Sequence, residues 1–240
     1  IESDDTRRYD ELVFDPSGRC PSTSYNLFKG LSVEPVAGKC DLYLRHVKEI
    51  ICAGDQALYD YVMGWMAHAI QKPTELPGVA LVLRGSQGTG KGTFAQHFGK
   101  IFGDHFQHLV HMDHLLGKFN AHLSSALVVF ADEIVWGGNK REAGQLKGII
   151  SESRRMMEAK FKDPILVDNY ARFIFATNDE WAVPTGPKER RYCVLNVDES
   201  KAENHIYFDA INTEMRNGGL EALMHTLMNF DLSQFNVRRY

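Results

Sequence analysis

The chain has 240 residues, 44% hydrophobic and 24% charged, with 27 Lys and Arg against 31 Asp and Glu for a formal net charge of -4. These are the proportions of an ordinary globular protein, and they exclude a disordered tail poor in apolar residues. They also exclude a protein that grips duplex DNA over its whole surface by positive charge. The length suits one ordinary to large domain that buries a full core without staples. Cys20, Cys40, Cys52 and Cys193 are scattered with no C-x-x-C spacing. They suggest neither a zinc site nor a disulfide framework and point to a reducing compartment. The acidic opening Ile1-Glu2-Ser3-Asp4-Asp5-Thr6 is the opposite of a signal peptide. The most apolar stretch, Tyr59 to Ile70, is short and carries Asp60 and His68, so no bilayer span is expected. The expectation is a soluble, cytoplasmic protein, in the host cytoplasm if it is viral. Its first residue, Ile rather than Met, is what a domain excised from something longer would show.

Residues 1 to about 39 are rich in Pro, Gly, Ser and charge and read as loop with a few short extended pieces. From Asp41 to about Gln71 the apolar spacing turns helical in two segments, broken at Gly54-Asp55, with Asp55 as a cap and Lys72-Pro73 as the stop. Val79-Ala80-Leu81-Val82-Leu83 is then a short, unbroken apolar run, the signature of a buried strand. Similar runs lie at 126–130, 172–176 and 191–197, with helical stretches near 91–102, 111–123 and 140–151 between them. Strands alternating with helices predict an α/β domain with a mostly parallel sheet. A last helical stretch, about 202–230, is interrupted at Gly218-Gly219. The expected division is a lead-in over 1–76, a core over 77–198 and a small helical cap over 199–240.

Directly after the first buried strand comes Gly85-Ser86-Gln87-Gly88-Thr89-Gly90-Lys91-Gly92-Thr93. This is the G-x-x-x-x-G-K frame of a P-loop, placed where that loop must sit, between a strand and a helix. The glycines let the backbone curl its N–H groups around phosphate oxygens, and the helix adds its positive N-terminal end. Lys91 would reach the β- and γ-phosphates of ATP. Gly92 stands where the pattern has Ser or Thr, so Thr93 would supply the hydroxyl toward Mg²⁺, directly or through water. The same Gly-Lys-Gly-Thr order occurs in adenylate kinase-like enzymes. The strand at 126–130 ends in Asp132-Glu133, which resembles a Walker B motif. There Asp132 would hold the Mg²⁺ shell, and Glu133 would orient and activate the attacking water. The strand Phe173-Ile174-Phe175-Ala176-Thr177 ends in Asn178, an amide able to meet the γ-phosphate or the water. Lys188-Glu189-Arg190-Arg191 precedes the last strand, and Arg190 or Arg191 could act as an arginine finger. His105, His108, His111 and His114 recur every third residue. No Cys and no H-E-x-x-H frame accompanies them, and the stretch straddles a strand-to-helix junction, so a metal site is not expected there.

P-loop, Asp132-Glu133, Ala176-Thr177-Asn178 and Arg190-Arg191, in that order within roughly a hundred residues, resemble a superfamily 3 helicase. More narrowly, they are similar to the helicase part of phage and poxvirus-type primase-helicases and primase-polymerases. The resemblance covers about 77–198 by motif and extends loosely through Tyr25 to Gly30 and the helical lead-in. It implies a P-loop NTPase core of AAA+-like fold and a homo-oligomeric ring, usually a hexamer, with ATP sites between subunits. It also implies single-stranded DNA in the central channel and a fused or associated primase or polymerase. Between the Asp-Glu strand and the Asn strand that family carries a hairpin projecting into the channel. The matching span runs from Lys147 through Arg154-Arg155 to Lys160, Phe161 and Lys162, where lysines suit phosphates and Phe161 suits stacking or wedging. Such a ring needs positive charge only along its channel, which a net charge of -4 permits. The expected activity is ATP hydrolysis coupled to translocation. The alternatives are a P-loop nucleotide kinase, suggested by Gly92-Thr93, and a scaffold that binds ATP without translocating.

Overall fold

The computed structural model describes residues 8–118, 120–132, 140–158, 160–161, 163–178 and 189–240. Strands β1 (Glu11–Val13) and β2 (Ser24–Asn26) pair in parallel within the lead-in. Helix α1 (Asp41–His46) runs on through a wider turn over Val47–Ile51. Helix α2 (Gln56–Gln71) follows, and its Asp55 cap accepts the N–H groups of Ala57 at 2.8 Å and Leu58 at 3.0 Å. Then come β3 (Ala80–Arg84), α3 (Lys91–Lys100), β4 (Phe106–Leu109), α4 (Met112–Leu116), β5 (Val128–Ala131) and α5 (Lys140–Ser151). A hairpin of β6 (Arg154–Met157) and β7 (Ile165–Asp168) precedes β8 (Arg172–Thr177) and β9 (Tyr192–Asn196). Helices α6 (His205–Glu214) and α7 (Leu220–Met228) close the order, and the chain bends between them at Gly218, φ +95°. Among the described residues no helix is long and apolar enough to cross a membrane.

Five strands form one sheet in the order β4-β5-β8-β3-β9, all parallel. The fold is therefore mixed α/β with a parallel sheet, consistent with a P-loop-like core. The pleat divides each strand between two cores. Leu81, Leu83, Phe130, Ile174 and Leu195 face α1, α2, α3, α6 and α7, whereas Val82, Val129, Phe173 and Phe175 face α4, α5 and Met157 of the hairpin. The inner strands, covered on both faces, read as the continuous apolar runs seen in the sequence. β4 and β9 are the edge strands, and the polar Gln107 and His108 of β4 remove that signal. The helix expected over 111–123 is shorter. It ends at Leu116 before Gly117, and a separate 3₁₀ turn takes up Ala121–Leu123.

Side chains tie the lead-in to the later segments. The Glu214 carboxylate accepts the backbone N–H groups of Leu42 and Tyr43 at 3.0–3.1 Å, so the end of α6 caps the start of α1. Arg172, 0% exposed, stitches β8 to the end of α2. It donates to the carbonyls of Lys72 (2.7 Å), Glu75 (2.9 Å), Tyr170 (3.1 Å) and Pro73 (3.3 Å). The His68 Nδ1 accepts another Arg172 bond at 3.3 Å. An arginine suits this place because one planar fork satisfies several carbonyls of the turn after α2 and of the approach to β8. Arg172→Ala is expected to lower the urea-unfolding free energy by about 3 kcal/mol, since buried acceptors lose their donor. Loss of the exposed cap in Asp55→Ala should cost about 1 kcal/mol.

Candidate nucleotide-binding site

The carboxyl ends of the parallel strands converge on one cavity of about 310 Å³, lined by Gln87, Gly88, Thr89, Gly90, Lys91, Gly92, Thr93, Asp132, Asn178 and Phe208. β3 delivers the glycine loop, which turns at Gly88 (φ +77°) and Gly90 (φ +91°) into the first residue of α3. These values belong to glycine, because a Cβ clashes in the left-handed region. At Gly90 the reason is also tertiary: a Cβ there would lie 2.5 Å from the His46 ring and 2.6 Å from the Phe208 ring.

The Lys91 side chain lies over the loop. Its ammonium donates to the carbonyls of Gly85 (2.5 Å) and Ser86 (2.7 Å) and to the Asn178 Oδ1 (3.0 Å). One lysine thus connects the loop after β3 with the residue after β8, its direct neighbour in the sheet. Thr89 Oγ1 donates to the Ser86 carbonyl at 2.9 Å, and the Ser86 N–H donates to Glu199 at 3.3 Å. Gly85 lines the adjoining loop surface rather than the cavity, and its N–H donates to the Thr177 carbonyl. Asp132 follows β5 on the far side of β8, with its carboxylate 3.7 Å from the His108 Nε2 at the edge strand. Thr93 and Asp132 both line the cavity, and a hydroxyl and a carboxylate are the oxygen donors a hard divalent cation takes. Donors, lysine and cavity size together fit a polyphosphate with its cation.

Other expected site residues lie elsewhere. Glu133 falls outside the described residues, as does Lys162. Arg190 and Arg191 precede β9, at the opposite end of the sheet from the glycine loop. Arg191 is held by Glu189 at 3.1 Å, and Glu189 also meets Lys147 at 2.6 Å, whereas Arg190 is exposed. Lys160 and Phe161 lie in the connection of the β6–β7 hairpin. Phe161 has φ +63° and is 103% exposed, the most exposed of the large hydrophobic side chains described. The end of β6 next to this connection is fixed by Asn120, which donates to Met156 O at 3.1 Å and accepts from Glu158 N at 2.9 Å.

The histidines spaced by three have separate settings. His105 is buried between the Lys29 N–H and the Ser125 carbonyl, His108 stacks on Phe130, and His111 meets His114 ring to ring at 5.5 Å. Among the described residues no group of three or more His, Cys, Asp or Glu could hold a metal ion. Sequence reasoning missed His46, His108, Glu199 and Phe208. None carries a local signal, because each arrives from a segment distant in sequence or from an edge strand.

The family model that matches is a family of unknown function, DUF5906, over residues 83–191. A DNA primase-polymerase of Nitratiruptor phage NrS-1 is 27% identical over 183 residues, 71% of this chain and 24% of that protein. The chain therefore spans about a quarter of that relative's length. An apo structure of the NrS-1 C-terminal region superposes with a TM-score of 0.81 at 22% identity, covering 95% of this chain and 57% of that one. A second apo form of the same region gives 0.80 at 22% identity, covering 95% and 56%. At that identity the likeness establishes a shared fold.

His46 Nε2 faces the Gly90 carbonyl at 3.1 Å, so it carries the proton, and Nδ1 accepts from the Tyr207 hydroxyl at 3.2 Å. Burial pulls its pKa from 6.5 down to about 4, against the upward pull of the Gly90 bond. Between those values the unfolded chain binds a proton that the folded ring refuses, so stability falls as pH drops from 6.5 toward 4 and is level on this account above 6.5. His68, lowered to about 4 chiefly by burial and then by Arg172, adds a slope of the same sign. His46→Gln, which keeps a donor for Gly90, is expected to flatten the loss of melting temperature between about pH 7 and pH 5 relative to the parent chain. An unchanged slope would contradict the assignment.

Proposed function

We propose that this chain is the ATPase core of a superfamily 3 type replicative DNA helicase, working in viral or mobile-element DNA replication. The observation that carries this reading is the convergence of the glycine loop, Lys91, Asp132 and Asn178 on one cavity. Similarity to a phage primase-polymerase supports the replicative setting. In this reading the loop amides of 85–93 and the start of α3 hold the phosphates of ATP, and Lys91 swings from its loop carbonyls onto the β- and γ-oxygens. Mg²⁺, when bound by Thr93 and Asp132 directly or through water, offsets charge on those oxygens. Glu133 takes a proton from the attacking water as its oxygen bonds to the γ-phosphorus, and the bond to the ADP oxygen breaks in line. Asn178 holds the γ-phosphate or that water, and its 3.0 Å bond to Lys91 lets it exchange partners as the phosphate arrives.

Arg190 is the better arginine finger of the pair, because the Arg191 charge is already opposed by Glu189. Its position at the sheet end away from the loop suits action on another copy of the chain, in a homo-oligomeric ring. Lys160 and Phe161 of the hairpin connection, together with Lys162, would follow single-stranded DNA through that ring, the lysines on phosphates and the exposed phenyl ring against bases. A primase or polymerase, fused or associated, would use the strand so exposed. The kinase alternative rests on Gly92-Thr93 alone, whereas a hydrolase needs a base such as Glu133 beside the phosphate.

ATP turnover should rise when single-stranded DNA is added and fall by about a hundredfold or more in Lys91→Ala and Glu133→Gln. Arg190→Ala should reduce kcat by about a thousandfold, and Arg191→Ala by far less. Phosphate transfer to a nucleoside monophosphate, with no release of free phosphate, would establish the kinase instead.

A further inference from the structure

Three arginines from two separate segments face one cavity of about 200 Å³ at the sheet end away from the glycine loop. Arg190 and Arg191 enter ahead of β9, Arg238 enters from the last segment of the chain, and Gly78, Val79 and Ser151 complete the wall. Glu189 opposes Arg191, but among the described residues no carboxylate forms an ion pair with Arg190 or Arg238. Gathering guanidinium groups without counter-charge is repulsive, and such clusters suit the reception of an anion such as phosphate.

The segment bearing Arg238 is built to hold it there. The Tyr61 hydroxyl of α2 donates to the Val237 carbonyl at 2.7 Å, and the Tyr240 hydroxyl donates to the Tyr192 carbonyl of β9 at 2.8 Å. Both flanks of Arg238 are thus fastened, one to each neighbouring element, and its own N–H is held by the Asn236 Oδ1 at 3.0 Å. The Phe235 ring lies on Gly64 so closely that a Cβ there would be 2.4 Å away. The Arg238 Nε passes over Gly78, 3.5 Å from where a Cβ would stand. An exposed, rotamer-rich side chain is therefore carried on a fastened backbone, which lowers the cost of ordering it on a ligand.

The five residues of β3 separate this cavity from the chain's own phosphate loop, about 16 Å of strand, so a phosphate bound at Gly85–Thr93 of the same copy is out of reach. We propose that the cavity receives the terminal phosphate of a nucleotide held at the glycine loop of a second copy of this chain, with Arg238 acting beside Arg190 as a second trans arginine. The contact is heterologous, each copy offering its glycine loop to one neighbour and its arginine cavity to the other, as a ring requires. This rests on the ATPase reading above and adds a residue from outside the motif-bearing core.

The test mixes two variants. Arg238→Ala should bind ATP normally and lose kcat by about a hundredfold, and Lys91→Ala should lose binding at its own loop while keeping its arginines. In an equal mixture about a quarter of the interfaces join an intact loop to an intact arginine cavity, so two inactive preparations should regain activity together. If Arg238→Ala unfolds, Arg238→Gln, which keeps the stem over Gly78, replaces it in both arms. No recovery on mixing, or a parental kcat in the Arg238 variant, overturns the inference while leaving the ATPase reading in place. So does a variant that loses single-stranded DNA binding alone, which would make the cavity a site for the nucleic-acid backbone. A parent chain that hydrolyses no ATP removes the reading and the inference together.

Discussion

At Gly90 the main chain must turn left-handed so that the glycine loop can enter α3, and the same residue is pressed from outside by the His46 and Phe208 rings, with no space for a Cβ. Its carbonyl serves both neighbours of the turn, accepting from the Phe94 N–H at 3.0 Å as the helix begins and from His46 at 3.1 Å. Through these contacts the lead-in helix, the core and the closing helices meet at one peptide. His46 belongs to α1, and Phe208 and Tyr207 to α6, whose end in turn caps α1 through Glu214. The curvature of the loop is thus set by local glycine chemistry and kept by packing from segments more than forty residues away on either side.

The parallel sheet imposes the second organising constraint. All five strands point the same way, so every strand-end motif opens at one end of the sheet, where ligands of such sheets gather. The glycine loop, Asp132 and Asn178 share that end. What precedes the strands falls at the opposite end, which is where Arg190, Arg191 and Arg238 collect. A single copy therefore displays a phosphate cradle at one end and arginines at the other. The separation follows from strand direction and length, and it gives geometric sense to a reading in which catalysis needs two copies.

Charge is distributed to match. The formal net charge is -4, yet among the described residues only Arg191 of the arginine cavity has a carboxylate ion-pair partner, and the hairpin connection carries Lys160 beside the exposed Phe161 ring. Buried cations instead bond most of their N–H groups: Arg172 to carbonyls after α2 and ahead of β8, Lys91 to its own loop and Asn178. An unpaired guanidinium is tolerable at the surface because water solvates it, whereas in the interior each N–H needs a partner.

The sequence by itself determined the inner strands, the capped and proline-ended α2, and the glycine loop, because each is specified by neighbours within a few residues: apolar runs, a cap side chain, glycines before a helix. The tertiary structure decided what depends on distant partners. Edge strand β4 carries no apolar run because it is only partly covered, with His108 exposed, and the helix expected over 111–123 stops at Leu116, ahead of Gly117. His46, Glu199 and Phe208 reach the loop across long sequence separations that no spacing rule records. Arg238 reads in the sequence as an ordinary basic residue near the end of the chain. Only the fastening of its backbone by Tyr61 and Tyr192 brings it beside Arg190, since local chemistry sets which elements form and packing sets which side chains meet.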